Sequence, residues 1–321
     1  LTKNHKNTII KFMSIQSENA LKSAHSLIET CRIEEAADLL ENVLVSDLED
    51  LNLVFAIQCC NFWKNTLSSL SMYSYYEQGE LLLNQWKPFL SLIEKKQSPL
   101  ERTVYAFKKG IFSLALEAYL SCPEEKDVKL KADILKKIGM CYKKLGSYEI
   151  ALRHLTEANS CLQGQASILA EMADCYALCG ETKNAKMLFR EAFYINAQQI
   201  DLVFLDSPLI RVLIEKVMDK GYTGEPLQEW VSVYGVLYGI FNVKRQLRAQ
   251  EHLRLKQEVY ARENEIKDPA NNRAVLTPRL LNLYFWLIDF YEVTKDDVEK
   301  IKEVVLKIRL LDPEIYQLYI K

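Results

Sequence analysis

Between Ala132 and Gln199 the chain states one pattern twice, at an offset of 34 residues. ADILKKIGMCYKKLGSYEIALRHLTEAN is followed by ASILAEMADCYALCGETKNAKMLFREAF. Leu135 maps to Leu169, Ile138 to Met172, Gly139 to Ala173 and Tyr142 to Tyr176. Gly146 then maps to Gly180, Ala151 to Ala185, Leu155 to Phe189 and Ala158 to Ala192. A repeat of this length constrains the fold more than any single motif. One unit cannot bury its own apolar face, so copies must stack. Each unit reads as two helices: Gly139, Ala151 and Ala158 let the backbones approach, while Tyr142 and Leu155 fill the space between them.

The order large–large–small–aromatic, then Gly, then small–large–small, resembles the tetratricopeptide repeat (TPR) family. The resemblance implies an all-α fold, an α-α superhelix, with a curved partner-binding surface. Upstream the pattern decays. Ser98, Pro99 and Glu101 read as a capped helix start, with Gly110 ending that helix. Phe112, Ala115 and Tyr119 follow, and Gly110 lies 36 residues before Gly146, a repeat lengthened by two residues. Trp63, Leu67, Leu70, Tyr76, Leu83 and Trp86 form an earlier unit with Gly79 at its small position. Ile33, Ala36, Leu40 and Val43 belong to the first, and the stretch from Asp47 to Phe62 lengthens the helix after it. The expected organisation is a TPR-like solenoid over 1–206, with clear repeats at 132–165 and 166–199 and three degenerate ones before them.

After Gln199 the consensus stops. Ser207-Pro208 opens a helix to Lys220, and Leu227 to Phe241 form its partner, so 207–242 is a diverged pair continuing the stack. A C-terminal helical region, 243–321, completes the chain. Val243 to Lys267 is long and charged, with sparse apolar positions (Leu247, Leu253, Leu255, Val259, Ile266), and reads as an exposed helix or arm. Thr277-Pro278 opens a helix containing Tyr284, Phe285, Trp286, Phe290 and Tyr291. That helix is apolar on nearly every side and therefore buried, in a core or against a partner. The core reading is preferred, with Leu209 to Phe241 supplying the cover. Thr294 to Asp297 caps a further helix, and Leu311-Asp312-Pro313 ends it.

Composition narrows the function. A net charge of −2 gives no general attraction to nucleic acid or anionic lipid, although 243–273 holds eight basic against five acidic residues. No apolar run reaches the roughly 18 residues of a membrane helix. There is no glycine-rich phosphate loop, HExxH or nucleophile elbow, so no enzyme activity and no cofactor is expected. Cys141 and Cys175 occupy the same repeat position and read as packing residues. Cys175 and Cys179, one turn apart, lack a second pair with which to bind metal. Eight cysteines without a disulfide-like framework favour a reducing, cytoplasmic compartment. The chain opens on Leu1 rather than Met and reads as a fragment. Had a targeting segment preceded it, the location would be periplasmic or envelope-associated.

In TPR proteins the first helix of each repeat lines the groove. The resemblance places Asp133, Lys136, Lys137, Met140, Lys143 and Lys144 there in one repeat, and Ser167, Ala170, Glu171, Asp174 and Ala177 in the next. TPR modules that grip a terminal carboxylate use Lys and Asn on these helices; here Met140 and Asp174 stand where Asn is wanted, which argues against such a clamp. The four lysines suit an acidic peptide, against the plainer reading of a solvated face. The candidate partner-binding set is Lys136, Met140, Lys143, Lys144, Ala170, Asp174 and the aromatic Trp286. The expected function is a protein–protein interaction scaffold. The stretch LTPRLLNLYFWLIDFY also resembles the C-terminal region of spirochaetal TPR proteins, some of which build the flagellar-motor collar, implying structural assembly in a cell envelope. A peptide-sensing regulator is a third possibility, without an evident effector module in Leu1 to Met13.

Overall fold

The computed structural model describes residues 15–45, 50–94 and 100–320. Among these the chain is all-α: fifteen α-helices, three short 3-10 turns and no strand. Helix–helix packing is of the solenoid-like kind. The chain forms two compact units, one of residues up to 124 with 144–146, the other of 125–143 and 147 onward.

The first unit holds α1 (Ile15–Glu29), α2 (Ile33–Leu44), α3 (Leu51–Ser69), α4 (Tyr75–Glu94) and α5 (Glu101–Leu120). Helices adjacent in sequence pack together, and α5 also returns to α1. That closure distinguishes the unit from an open stack, in which a helix meets only its neighbours. It also corrects the expected turn at Gly110. Gly110 lies inside α5, where a Cβ would sit 2.3 Å from the Ile28 carbonyl oxygen of α1. The glycine marks a helix crossing, not a helix end. Gly79 serves α4 similarly, with the Tyr119 ring of α5 2.3 Å from where its Cβ would be. Between the helices lies an aromatic chain, in which Trp86 meets Phe112 at 5.0 Å and Phe89 meets Trp63 at 5.5 Å and Phe107 at 5.3 Å. The expected caps Ser98 and Pro99, and Asp47, fall outside the described residues.

The second unit holds the two repeats apart from residues 144–146 at the first turn, which fall to the first unit. α6 (Val128–Lys144) and α7 (Tyr148–Cys161) form the first hairpin, α8 (Ala166–Leu178) and α9 (Thr182–Asn196) the next. Gly146 and Gly180 make the turns at φ +86° and +83°, in the left-handed region that favours glycine. At Gly139 a Cβ would stand 2.7 Å from Leu155 Cγ and 3.0 Å from the Ala151 carbonyl, the close approach anticipated from the repeat. Tyr142 stacks on His154 at 5.5 Å in the same seam. α10 (Pro208–Met218) and α11 (Gly224–Leu237) follow as a further hairpin.

α12 (Ala249–Glu265), α13 (Arg273–Thr294), α14 (Val298–Leu311) and α15 (Pro313–Tyr319) complete the unit. α13 starts before Thr277, because the Asn272 side chain accepts from Ala274 N and caps it there; Pro278 lies within its opening turns. α11, α12 and α14 pack around it, so cover comes from more than the 209–241 pair. Nor is α12 a free arm: Leu247 before it and its own Leu255 and Val259 are buried. Asp297 and Asp312 cap α14 and α15 by accepting from backbone N–H groups.

Candidate functional site

The inner positions of the two repeats converge on one buried ionic cluster. α6 ends with Lys143 directed at α8, where its Nζ lies 2.6 Å from both Glu171 Oε2 and Asp174 Oδ2. The ammonium also donates to the Phe204 carbonyl at 2.9 Å. Asp174 in turn accepts from the backbone N–H groups of Asp206 and Ser207, each at 2.8 Å. Ser207 is the residue before α10, and its own side chain makes no capping bond. A carboxylate from another helix therefore satisfies backbone donors at the α10 entrance, where negative charge is favoured.

The electrostatics follow from burial. Removal from water works against the charged ammonium of Lys143, but Glu171 and Asp174 outweigh it and hold the group above the ordinary lysine range. Burial likewise opposes ionisation of Asp174, yet Lys143 and the donors from 206 and 207 keep its carboxyl below the usual value. Nearer the start of α6, Asp133 pairs with Lys136 and Lys137, each at 2.8 Å. Those lysines overcome desolvation and bring its pKa down to about 2.

This arrangement revises the candidate partner-binding set. Met140, Lys143, Lys144, Ala170 and Asp174 are buried, and Lys143 and Asp174 bind the chain's own segment at 204–207. Of the seven, Lys136 alone keeps partial exposure. At Lys143 and Asp174 the face expected to meet a peptide is met by the chain's own segment, in which Phe204 and Leu205 are buried. Sequence periodicity cannot detect such an occupant, which follows α9 and carries no repeat signal.

Trp286 is also internal, at 2% exposure. Its ring meets Tyr194 of α9 at 4.5 Å, with the Arg190 and Arg245 guanidinium groups 5.0 and 5.8 Å from its centre. Its immediate cover thus comes from α9 and the segment before α12. Arg190 pairs with Asp289 of α13 and donates to the Phe241 carbonyl. Arg245 makes a two-pronged contact with Glu191, 2.8 Å on each side. Sequence reading missed this second ionic cluster. Its one visible signal was Asp289, a carboxylate inside an apolar helix.

All eight cysteines are free thiols. Burial pushes Cys60 up to about 12 and Cys31 to about 11, and raises Cys141 and Cys175 as well. Cys175 is buried whereas Cys179 is exposed. Among the described residues no three His, Cys, Asp or Glu side chains are grouped to hold a metal, and no helix is long and apolar enough to cross a membrane. Tyr73 before α4 and Tyr75 at its start are exposed. No family model matches the chain, and no curated protein matches it in sequence.

Proposed function

We propose that the chain is a non-catalytic protein–protein interaction scaffold, TPR-like over 132–199 and extended by helical hairpins at its C-terminal side. The observation that carries this reading is the hairpin pair α6–α9, spaced at 34 residues in sequence and closed by a glycine turn in each copy. Stacked hairpins are rigid platforms that present long helix faces to other proteins. The ionic cluster around Lys143 serves the platform: it holds 204–207 in place and consumes the inner positions. Partners therefore dock on outward helix faces. A peptide-sensing regulator fits less well, since its sensor groove would have to be open where the chain's own segment lies. Assembly into a cell-envelope complex is a narrower form of the scaffold reading, decided by the identity of the partner.

The test is a quantitative pull-down from the native organism with the folded chain as bait. A reproducible protein partner that re-forms a defined complex with the purified chain supports the scaffold. Recovery of nothing above background, or turnover of a small substrate by the purified chain, sinks it.

A further inference from the structure

A cavity of about 370 Å³ opens between α1 and α5 of the first unit, within the range of about 300–1,000 Å³ usual for small-molecule sites. His25 and Glu29, one turn apart on α1, form one wall; Glu101, Arg102 and Tyr105 of α5 form the other. The imidazole is anchored, its Nε2 lying 2.9 Å from the hydroxyl of buried Thr103. Burial and the Arg102 guanidinium hold His25 below the ordinary histidine range, against the opposite pull of Glu29, so the ring adds no charge near neutral pH. Glu29 is already matched, by Lys109 at 2.6 Å. Glu101 and Arg102 are exposed and, among the described residues, form neither an ion pair nor a side-chain hydrogen bond. Being adjacent on a helix, they do not face each other. One cavity therefore holds an unmatched carboxylate and an unmatched guanidinium, beside a Tyr105 ring that is 61% exposed.

We propose that this cavity binds a small zwitterion of the α-amino-acid class with an apolar or aromatic side chain. Its carboxylate pairs with Arg102, whose planar fork suits two-pronged contact. Its ammonium pairs with Glu101, and its side chain lies on Tyr105. Charge complementarity selects this ligand. A polyanion such as a nucleotide phosphate would meet the Glu101 and Glu29 carboxylates, and a simple amine would leave Arg102 unmatched. A peptide terminus carries only one of the two charges. Because both charged groups reach solvent, the affinity expected is millimolar. The site lies on helices outside α6–α9, so this inference goes beyond the scaffold reading and does not depend on it.

The probe is L-phenylalanine, titrated into the isotope-labelled full chain and followed by amide chemical shifts. Saturable shifts should gather at residues 25–29 and 101–105. N-acetyl-phenylalanine, without the ammonium, and phenylalanine amide, without the carboxylate, should each bind more weakly by about threefold or more, the effect of losing an exposed ion pair. In Glu101→Gln the acetylated ligand should bind as well as phenylalanine, and in Arg102→Gln the amide should do so, since each variant removes the group that reads the missing charge. Tyr105→Ala should weaken phenylalanine more than glycine. The comparison of ligands on the parent chain needs no variant to fold. Absence of a saturable shift up to tens of millimolar, shifts gathered elsewhere, or equal binding of the three phenylalanine ligands by the parent overturns the proposal. The scaffold reading is decided by its own pull-down, whichever way this titration falls.

Discussion

Lys143→Met tests whether the buried cluster at the repeat junction acts as an ionic clamp. The substitution keeps most of the unbranched side chain but removes the ammonium that lies 2.6 Å from Glu171 and Asp174. Two carboxylates are then left in a buried site with their main counter-charge gone, and the Phe204 carbonyl loses a donor. Breaking a buried pair from one side costs about 3–5 kcal/mol, most of it for the uncompensated charge. The packing change by itself should cost less than about 1.5 kcal/mol. Urea unfolding at about pH 7 separates these magnitudes, and pH separates their origin. Asp174 sits below its unfolded value of about 3.9, so its contribution in the parent is present above that pH and lost as pH falls through the folded value. In the variant the carboxylates bind protons more readily, so the deficit should shrink as pH falls from about 7 toward about 5. Glu171→Gln added to Lys143→Met should recover part of the loss by removing one stranded charge. Hydrogen exchange at the Asp206 and Ser207 amides should quicken in Lys143→Met, since the Asp174 acceptor is no longer held. A deficit below about 1.5 kcal/mol, or one independent of pH, would refute the clamp.

Gly139→Leu should destabilise by about 1–3 kcal/mol or more in thermal unfolding, because even its Cβ would press on Leu155 and the Ala151 carbonyl; an unchanged midpoint would count against the α6–α7 seam. Gly110→Ala sets a helix-propensity gain of about 1 kcal/mol against a Cβ driven into the Ile28 carbonyl, and net destabilisation is expected; a stabilised variant would mean that α5 does not cross α1 so closely. In a variant keeping Trp286 as its sole tryptophan, acrylamide should quench fluorescence weakly in the isolated chain. Quenching as strong as that of a free indole would place this ring on a surface.

Within the repeats, sequence determined the local structure. A period of 34 residues, glycine at the turn and small residues at the crossing prescribe the hairpins at 132–199, since only these spacings put small faces together. The cap before α14 was legible for a similar reason, since its chemistry acts over three residues, whereas Asp312, read as a helix end, also caps α15. The aromatic density of α13 announced a buried helix, though not which neighbours would cover it. Only the tertiary structure decided that α5 returns to α1, because Gly110 has the same signature at a turn and at a crossing. It also decided the fate of the inner face. Lys143 and Asp174 are ordinary polar residues of amphipathic helices until 204–207 arrives from beyond the repeats and supplies their partners. Sequence sets which face a helix buries through local spacing; which segment occupies that face depends on contacts distant along the chain, and no periodic pattern encodes them.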